Sequence, residues 1–363
     1  MSAPLETRVR QLLGSVTDPH TGLDLVSSGI VRGVGVAGSD VTVDLVLGYP
    51  ALSAQGALAD AVRAVLAEEP SIGHVAVGVS SRIVAHEVQA GLTPLPGVRN
   101  VIAVASGKGG VGKSTVAANL ALALKAEGAS VGVLDADIHG PSQVRMLGLE
   151  GKPDTKDGKR IEPKIGHGVQ AMSIGLMIEE DTAMIWRGPM ATQALQQMLG
   201  ETNWSDLDYL VIDLPPGTGD IQLTLCQRIP VSGAVIVTTP QDIALLDAKK
   251  ALKMFEKVNV PVLGIIENMA THVCSQCGHE EHVFGEGGGA RMAAQYGVPL
   301  LGSLPLDIRI REQADSGTPT VAAMPDSDLA SRYRGIARNA AARLALRARN
   351  KTFGMPKIVV QNT

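Results

Sequence analysis

The chain has 363 residues, a length that predicts two domains, because a domain contains roughly 150 residues. Hydrophobic residues make up 45% of the chain and aromatic residues only 2%, so we expect a core of Val, Leu, Ile, Ala and Met side chains. The net charge of −4 excludes the strongly basic signature of a nucleic-acid-binding protein and the high net charge typical of a disordered chain.

The sequence shows no signal for export or membrane insertion. No hydrophobic run approaches the ~18 residues that span a bilayer, and residues 1–6 lack the basic and apolar regions of a signal peptide. We therefore expect a cytoplasmic protein. Three cysteines are too few for a disulfide framework, and the spacing of Cys274 and Cys277 suggests metal or redox chemistry. Cys226, alone on a predicted apolar helix, is expected to be a small buried residue.

Residues 1–88 are predicted to form a small α+β domain. Alternation of apolar and polar residues predicts strands, and a 3.6-residue spacing of apolar residues predicts helices. In chain order, the predicted elements are a helix at 5–13, a strand at 41–47, a helix at 52–68 and a strand at 74–84. Residues 89–97 contain two prolines and two glycines, which continue neither periodicity, so we expect a linker there.

Residues 98–353 are predicted to form an α/β domain, followed by a flexible tail at 354–363. Short, nearly continuous apolar segments alternate with helical patterns, which is typical of a mostly parallel sheet with helices on both faces. The predicted strands are 101–105, 130–134, 209–212, 234–237, 262–266 and 300–303. The predicted helices are 115–127, 190–199, 243–258 and 288–296.

A glycine-rich segment between the first strand and helix of this domain matches the phosphate-binding pattern G-x-x-x-x-G-K-[ST]. Backbone N–H groups of such a loop close around phosphate oxygens at a helix N-terminus. Lys113 can reach the β- and γ-phosphates of ATP, and the Ser114 hydroxyl can bind Mg²⁺. The predicted nucleotide-binding residues are Gly107, Lys108, Gly109, Gly110, Val111, Gly112, Lys113, Ser114 and Thr115.

The extra lysine at the second position of this loop, Lys108, resembles the mark of the deviant Walker-A ATPases. That class includes the MinD and ParA proteins, the nitrogenase iron protein and the Mrp family. The resemblance implies a P-loop NTPase fold and a homodimer in which Lys108 reaches the nucleotide phosphates of the partner subunit. If Lys108 is only a solvated loop cation, no dimer is implied.

Three carboxylates follow predicted strands, where a doubly wound sheet collects its ligands. Asp135 is expected to be structural, and Asp137 resembles the class residue that orients the attacking water. Alternatively, Asp137 only caps the following turn. Asp213 resembles the Walker B aspartate, which implies that it binds Mg²⁺ together with Ser114.

Further segments resemble the Mrp branch of this class more closely than MinD or ParA. They are 137–142, 186–190 and the predicted γ-phosphate-sensitive switch 215–219. Asn268, just after the predicted strand 262–266, matches the class position whose side-chain amide recognises adenine by hydrogen bonds. An asparagine at that place is also common in turns for local reasons.

Cys274 and Cys277 can bind one metal or cluster, but two thiolates are too few for a closed four-ligand site. The resemblance to the Mrp family and the nitrogenase iron protein implies that a two-fold dimer combines two cysteine pairs around one bridging [4Fe–4S] cluster. The alternative is a zinc ion bound within one chain by both cysteines, His279 and His282.

The sequences of the two ends of the chain indicate a family and a function less clearly than the central part does. Residues 1–88, with Asp18-Pro19, loosely resemble a small iron–sulfur assembly domain, although the family's cysteine is absent from residues 47–52. Near the C-terminus, a helical face carries Leu329, Tyr333, Ile336, Ala340 and Leu344, beside seven basic residues. We expect this helix to pack on the sheet, and membrane binding is the alternative.

The resemblance covers residues 98–325 and implies an ATP-binding iron–sulfur cluster carrier. Such a protein would be a slow ATPase that assembles a dimer-bridging cluster and transfers it to apo-proteins. The alternative is a positioning ATPase similar to ParA or MinD, acting on a membrane or another surface. That alternative leaves the cysteine pair unexplained.

Overall fold

The computed structural model describes residues 2–155, 158, 160–177, 188–274 and 276–352. The predicted tail 354–363 lies outside the described residues, as do Trp186 and Arg187 of the segment 186–190. No helix in the described ranges has both the length and the apolar character needed to cross a bilayer.

The N-terminal part of the chain is a three-stranded sheet with two helices that contact it and each other. Its elements are α1 (Ser2–Leu13), β1 (Val31–Ala37), β2 (Asp40–Leu47), α2 (Gln55–Ala67) and β3 (Val75–Ser81). The central strand β2 pairs antiparallel with β1 and parallel with β3. Alternate residues of β2 are buried, because the period of two directs them to one face of the sheet.

The sequence pattern predicts every element of this part except strand β1. Two glycines, Gly33 and Gly35, interrupt the strand and weaken its pattern. They lie opposite Asp44 and Thr42 of β2, and a Cβ added at Gly35 would crowd Thr42 Oγ1. The glycines therefore leave room for side chains of the neighbouring strand, a requirement that only the paired sheet reveals.

The second part of the chain alternates strands and helices. Its strands are β4 (Val98–Ser106), β5 (Val131–Asp135), β6 (Lys164–Gly166), β7 (Val169–Ser173), β8 (Leu207–Asp213), β9 (Gly233–Thr238), β10 (Val262–Glu267), β11 (His272–Val273), β12 (Glu280–Glu281) and β13 (Leu300–Ser303). Its helices are α3 (Lys113–Ala126), α4 (Gln143–Met146), α5 (Gly188–Glu201), α6 (Asp220–Arg228), α7 (Asp242–Lys257), α8 (Gly288–Tyr296), α9 (Ile308–Asp315), α10 (Thr320–Ala323) and α11 (Asp328–Thr352).

Eight of these strands form one sheet in the order β13-β10-β9-β4-β8-β5-β7-β6. All neighbouring pairs are parallel except β6 and β7 at one edge. Helices α3, α10 and α11 contact one another, whereas α7 and α8 form a separate group that also contacts the sheet. The predicted, mostly parallel sheet flanked by helices is confirmed.

All six predicted strands and four predicted helices of this part are present, with bounds shifted by a few residues. The pattern predicts helix α6 only as the apolar helix that carries Cys226, and it does not predict strands β6 and β7 or helix α9. Strand β7 contains Gln170 and ends in Ser173, so it shows no uninterrupted apolar period.

The long helix α11 packs its apolar side against α3 and β13. All five residues of the predicted face are buried, at 0–4% exposure: Leu329, Tyr333, Ile336, Ala340 and Leu344. The expected packing on the sheet is therefore confirmed. This face lies inside the protein and is not available to a membrane.

The two parts of the chain contact each other through a buried carboxylate, Glu127, at the end of α3. Glu127 accepts hydrogen bonds from the backbone N–H of Ser53 at 3.0 Å and from Nη1 of Arg338 at 2.6 Å. Arg338 on α11 also donates from Nε to His20 Nε2 at 3.0 Å. The basic face of α11 thus binds the N-terminal part of the chain.

Candidate functional site

The phosphate-binding segment forms the predicted strand–loop–helix turn. Residues 107–112 connect β4 to α3, which begins at Lys113. Gly110 and Gly112 have φ angles of 84° and 81°, in the left-handed region that favours glycine. The backbone therefore curves as a phosphate-binding loop does, at the N-terminus of a helix.

Two glycines of this loop also allow close packing. A Cβ added at Gly107 would overlap the backbone of Asp247 on α7, and one added at Gly112 would overlap the side-chain amide of Asn268. Asn268 is 7% exposed and donates from Nδ2 to Val111 O at 2.9 Å. The structure thus brings Asn268 to the phosphate loop, where its nitrogen already has a protein acceptor.

Lys113 forms a buried ion pair with Asp213. Its Nζ lies 2.5 Å from Asp213 Oδ1 and 3.2 Å from Ser114 Oγ. The side chains of Lys113 and Asp213 are 6% and 0% exposed. They meet because β4 and β8 are adjacent parallel strands whose carboxyl ends share one edge.

Asp135 lies in register with Asp213 on the neighbouring strand β5. Its Oδ2 accepts from the backbone N–H groups of Ser142 and Gln143, at 2.9 and 3.0 Å, and from Ser173 Oγ at 3.1 Å. Burial, followed by the nearby charge of Asp213, raises the pKa of Asp135. Asp135 therefore organises the loop 136–142, which agrees with its expected structural role.

Asp137 lies farther out on the same loop. It accepts a hydrogen bond from Gly140 N at 3.3 Å, the turn contact of the capping alternative. It also lines a cavity of about 290 Å³ together with His139, Pro215 and Gln222. Burial raises the pKa of Asp137. The structure therefore brings Asp137 to the predicted switch 215–219 while it retains its local turn contact.

The sequence pattern does not identify two buried glutamines, Gln222 and Gln143, as functional residues. Gln222 on α6 donates to Pro215 O and accepts from Gly219 N at 2.8 Å, so it holds both ends of the switch. Its position three residues after the helix N-cap, Gly219, is its sequence signal, because a glutamine there can accept a hydrogen bond from the N-cap backbone N–H, as in one half of a capping box. Gln143 contacts Ser114 and Asp213 and has no comparable signal.

Side-chain oxygen atoms around Lys113 are suitable ligands for a hydrated Mg²⁺ ion. Ser114 supplies a hydroxyl and Asp213 a carboxylate, the hard ligands that Mg²⁺ prefers. A buried acceptor beside them, Oε1 of Gln143, has no hydrogen-bond partner among the described residues. These residues therefore suit the ion that the sequence predicts, with Ser114 and Asp213 as the groups that would hold it.

Lys108 differs from Lys113 in its surroundings. Its backbone oxygen accepts from Ser106 Oγ at 2.9 Å, which fixes the start of the loop. Its side chain is partly exposed, and in the described part of the chain its ammonium forms no ion pair. Lys108 is therefore partly accessible to solvent, in contrast to the buried Lys113.

Cys274 and Cys277 lie on a short hairpin after β10, between strands β11 and β12. The turn is closed by hydrogen bonds from Cys274 N to His279 O and from Gly278 N to Cys274 O, both at 2.9 Å. Cys277 is exposed and Cys274 partly exposed. Backbone N–H groups of Cys277 and Gln276 lower the pKa of Cys274, which favours the metal-binding thiolate.

The ligands of the zinc alternative are not assembled in this structure. His282 directs Nδ1 towards Ala270 O at 3.0 Å. Within the described ranges, no group of three or more His, Cys, Asp or Glu side chains is arranged to hold a metal ion. Cys226 is fully buried, as expected, and burial raises its pKa to about 12.

Comparisons with known proteins show which family the chain resembles. Residues 97–341 match the family model described as NUBPL iron-transfer P-loop NTPase, and residues 6–79 match the model of an iron–sulfur cluster assembly protein. The iron–sulfur cluster carrier protein of Pseudomonas fragi is 60% identical over 263 residues, which cover 72% of this chain and 92% of that protein.

Two further relatives extend the match. The iron–sulfur cluster carrier protein of Haemophilus influenzae is 48% identical over 338 residues, covering 93% of this chain and 91% of that protein. A nucleotide-binding protein from Archaeoglobus fulgidus, solved in complex with ADP, is 38% identical, has a TM-score of 0.55, and covers 64% of this chain and 90% of its own. With its phosphate loop and buried Lys113–Asp213 pair, the chain belongs to the NUBPL iron-transfer P-loop NTPase family.

Proposed function

We propose that this protein is a cytoplasmic ATP-binding carrier that assembles a [4Fe–4S] cluster between two copies of the chain and transfers it to apo-proteins. The observation that carries the proposal is the pair of accessible cysteines on the hairpin after β10. Two thiolates per chain match half of the ligands of a four-iron cluster. The names of the bacterial relatives as cluster carriers support the same conclusion.

The nucleotide site is assigned to residues 107–115 and Asn268. Lys113 contacts the phosphates, Ser114 and Asp213 hold Mg²⁺, and the Asn268 amide contacts the base. The bound ion would neutralise charge on the phosphates during hydrolysis. Asp137 orients the attacking water, a role supported by its place in the cavity beside the switch 215–219.

Dimerisation connects the nucleotide to the cluster. Lys108 reaches the nucleotide of the partner subunit, which is supported by its place in the phosphate loop and by its partial exposure. The switch 215–219 contacts the phosphate-loop strand through the hydrogen bond from Gly217 N to Ser106 O at 3.1 Å. ATP binding or slow hydrolysis therefore alters the subunit interface, and with it the cluster-binding hairpins.

We further propose that residues 98–353 form the ATPase domain and that residues 1–88 form a docking domain for recipient proteins, joined by the linker 89–97. The absence of a cysteine from residues 47–52 supports docking rather than direct cluster binding. The Glu127–Arg338 ion pair, at 2.6 Å, joins helices of the ATPase domain beside Ser53 of the docking domain.

The decisive experiment is anaerobic reconstitution of the full chain with iron and sulfide, followed by iron, sulfide and zinc analysis and by sedimentation. We expect a brown protein with about one four-iron cluster per two chains, because each chain supplies two thiolates. Incubation with an apo iron–sulfur enzyme should restore activity to that enzyme. One colourless zinc ion per monomeric chain would contradict the proposal.

A further inference from the structure

The side chain of Gln143 has an orientation that its hydrogen bonds determine. Its Nε2 lies 3.0 Å from Ser114 O and 2.9 Å from Asp213 Oδ2. A backbone carbonyl and a carboxylate only accept hydrogen bonds, so the amide nitrogen must face them. The amide oxygen Oε1 therefore points away from these two groups.

Oε1 of Gln143 is a buried acceptor without a hydrogen-bond partner among the described residues. The residue is only 1% exposed, so the atom lies in the protein interior. Buried polar atoms without a partner are rare in folded proteins, and such an atom indicates a missing partner such as a water or an ion. The missing partner here is a hydrogen-bond donor or a cation, because a carboxamide oxygen offers only lone pairs.

Gln143 binds the same two residues that are assigned to Mg²⁺. It contacts the backbone of Ser114 and the second carboxylate oxygen of Asp213, whereas Lys113 takes the first oxygen. Mg²⁺ retains several of its waters in proteins, and each such water is a donor. The orphaned acceptor and the metal-binding oxygens thus converge on one small region.

We propose that Gln143 is a positioning residue for hydrated Mg²⁺: Nε2 fixes the Asp213 carboxylate, and Oε1 accepts a hydrogen bond from a water of the ion. This inference rests on the proposed nucleotide site and deepens it. A glutamine suits the place because it offers a donor and an acceptor without adding a charge beside Asp135 and Asp213.

The backbone of Gln143 is held independently of its side chain. Its N–H donates to Asp135 Oδ2 at 3.0 Å, so a substitution at this position keeps that anchor of the loop. A variant can therefore remove the side-chain contacts while leaving the loop attached to Asp135. Gln143→Met is suitable because methionine has nearly the same length and neither donates nor accepts strongly.

The test is a Mg²⁺ titration of ADP binding to the full chain, followed by a fluorescent ADP analogue or by calorimetry, with a parallel measurement in EDTA. For Gln143→Met we expect the Mg²⁺ concentration at half-maximal binding to rise about 10- to 100-fold, the usual effect of losing a residue that orients metal ligands. ADP affinity in EDTA should be unchanged. Gln89→Met is the matched control, because the Gln89 amide also donates to two protein oxygens, those of Cys226 and Ile229, but lies outside the nucleotide site. Its Mg²⁺ requirement should equal that of the parent protein.

Two results would overturn the inference: an unaltered Mg²⁺ requirement in Gln143→Met, or an equal loss of ADP affinity with and without Mg²⁺. If Gln143→Met does not fold, Gln143→Asn is the second test. Its shorter side chain removes both contacts but keeps a polar amide. It should also raise the Mg²⁺ concentration at half-maximal ADP binding. If ADP binding to the parent protein does not depend on Mg²⁺, the proposed nucleotide site itself is wrong. This result distinguishes failure of the nucleotide site from failure of the Gln143 inference.

Discussion

The ammonium of Lys113 lies 2.5 Å from the carboxylate of Asp213, and neither side chain has appreciable contact with solvent. Each charge is therefore compensated mainly by the other. These are also the groups that we propose to bind phosphate and Mg²⁺. The same pair thus contributes to the stability of the fold and to nucleotide binding, and variants should affect both.

Lys113→Ala should lower the free energy of unfolding by about 3–5 kcal/mol, because it leaves Asp213 charged and buried beside Asp135. It should also abolish ATP hydrolysis. Urea denaturation without nucleotide measures the first effect. Adding Asp213→Asn should recover much of the stability but none of the hydrolysis. Lys108→Ala is the control, because Lys108 is partly exposed whereas Lys113 is buried. If the changes in the free energy of unfolding from Lys113→Ala and Asp213→Asn simply add, the two side chains are not energetically coupled and this prediction is wrong.

Asp137→Asn should leave nucleotide binding close to that of the parent protein and reduce hydrolysis on the order of 100-fold, the effect of losing a positioned group that handles a proton or water. Binding of ATP and single-turnover hydrolysis measure the two steps separately. Lys113→Ala, which should lose both, provides the comparison. Equal losses of binding in the two variants would show that the roles are wrongly divided.

The pH dependence of hydrolysis tests Asp137 in a second way. Burial raises its pKa above the ordinary value of 3.8. The carboxylate form is the active one, so hydrolysis should decline as the pH falls through this raised pKa, at a higher pH than for an exposed aspartate. The decline should vanish in Asp137→Asn. An acidic decline that persists in the variant would assign it to another group, such as Asp135.

Lys108→Ala should bind ATP as a monomer with parent affinity but form fewer dimers in the presence of ATP. The reason is that its ammonium has no partner within the described part of its own subunit. Sedimentation velocity with and without ATP measures the effect, and Lys113→Ala serves as the variant that loses nucleotide altogether. A Lys108→Ala protein that dimerises like the parent would remove the role across the interface.

Cys274→Ser and Cys277→Ser should each lose nearly all of the cluster, whereas Cys226→Ala should retain it, because Cys226 is buried in the core. A bridging cluster needs both subunits, so heterodimers of the parent with a Cys274→Ser/Cys277→Ser chain should lack it. Iron analysis of affinity-separated heterodimers gives the result. A full cluster load in them, or loss of one zinc per chain on His279→Ala, would contradict the bridging site.

Gly107→Ala should destabilise the protein by about 1–3 kcal/mol, the usual cost of inserting a methyl group into a packed region. The new Cβ would overlap the α7 backbone at Asp247, which cannot move like a flexible side chain. Gly109→Ala is the matched control, since its nearest neighbour would be Pro216 Cβ at 4.0 Å. Thermal unfolding compares the two, and equal melting temperatures would refute the packing argument.

Much of the fold could be predicted because apolar periodicity is a local property. Strands such as 234–237 are short, apolar and buried on both faces, so their pattern survives without knowledge of their neighbours. Strand β1 could not be predicted, because Gly33 and Gly35 are explained only by the side chains of β2 opposite them. Strand β6, three residues long at the sheet edge, carries too little pattern to be recognised.

The candidate site also contains some residues that the sequence predicts and others that it does not. Lys113, Ser114 and the loop glycines belong to one contiguous motif, whose spacing predicts a phosphate-binding turn directly. Gln143 belongs to no recognised motif, and Gln222 has only its spacing from the helix N-cap, although these residues hold Asp213 and the switch. Their importance comes from burial and from hydrogen bonds that join separate elements.

The sequence by itself determined most of the strands and helices, the phosphate loop and the cysteine pair, because each depends on residues that are close along the chain. Only the tertiary structure decided that Gln143 contacts Ser114 and Asp213, which lie 29 and 70 residues away, and that the apolar face of α11 is covered by the sheet and α3. The physical reason is that hydrogen-bond partners and burial depend on which distant segments become neighbours. Adjacent parallel strands bring those segments to one edge of the sheet, and no local spacing records that arrangement.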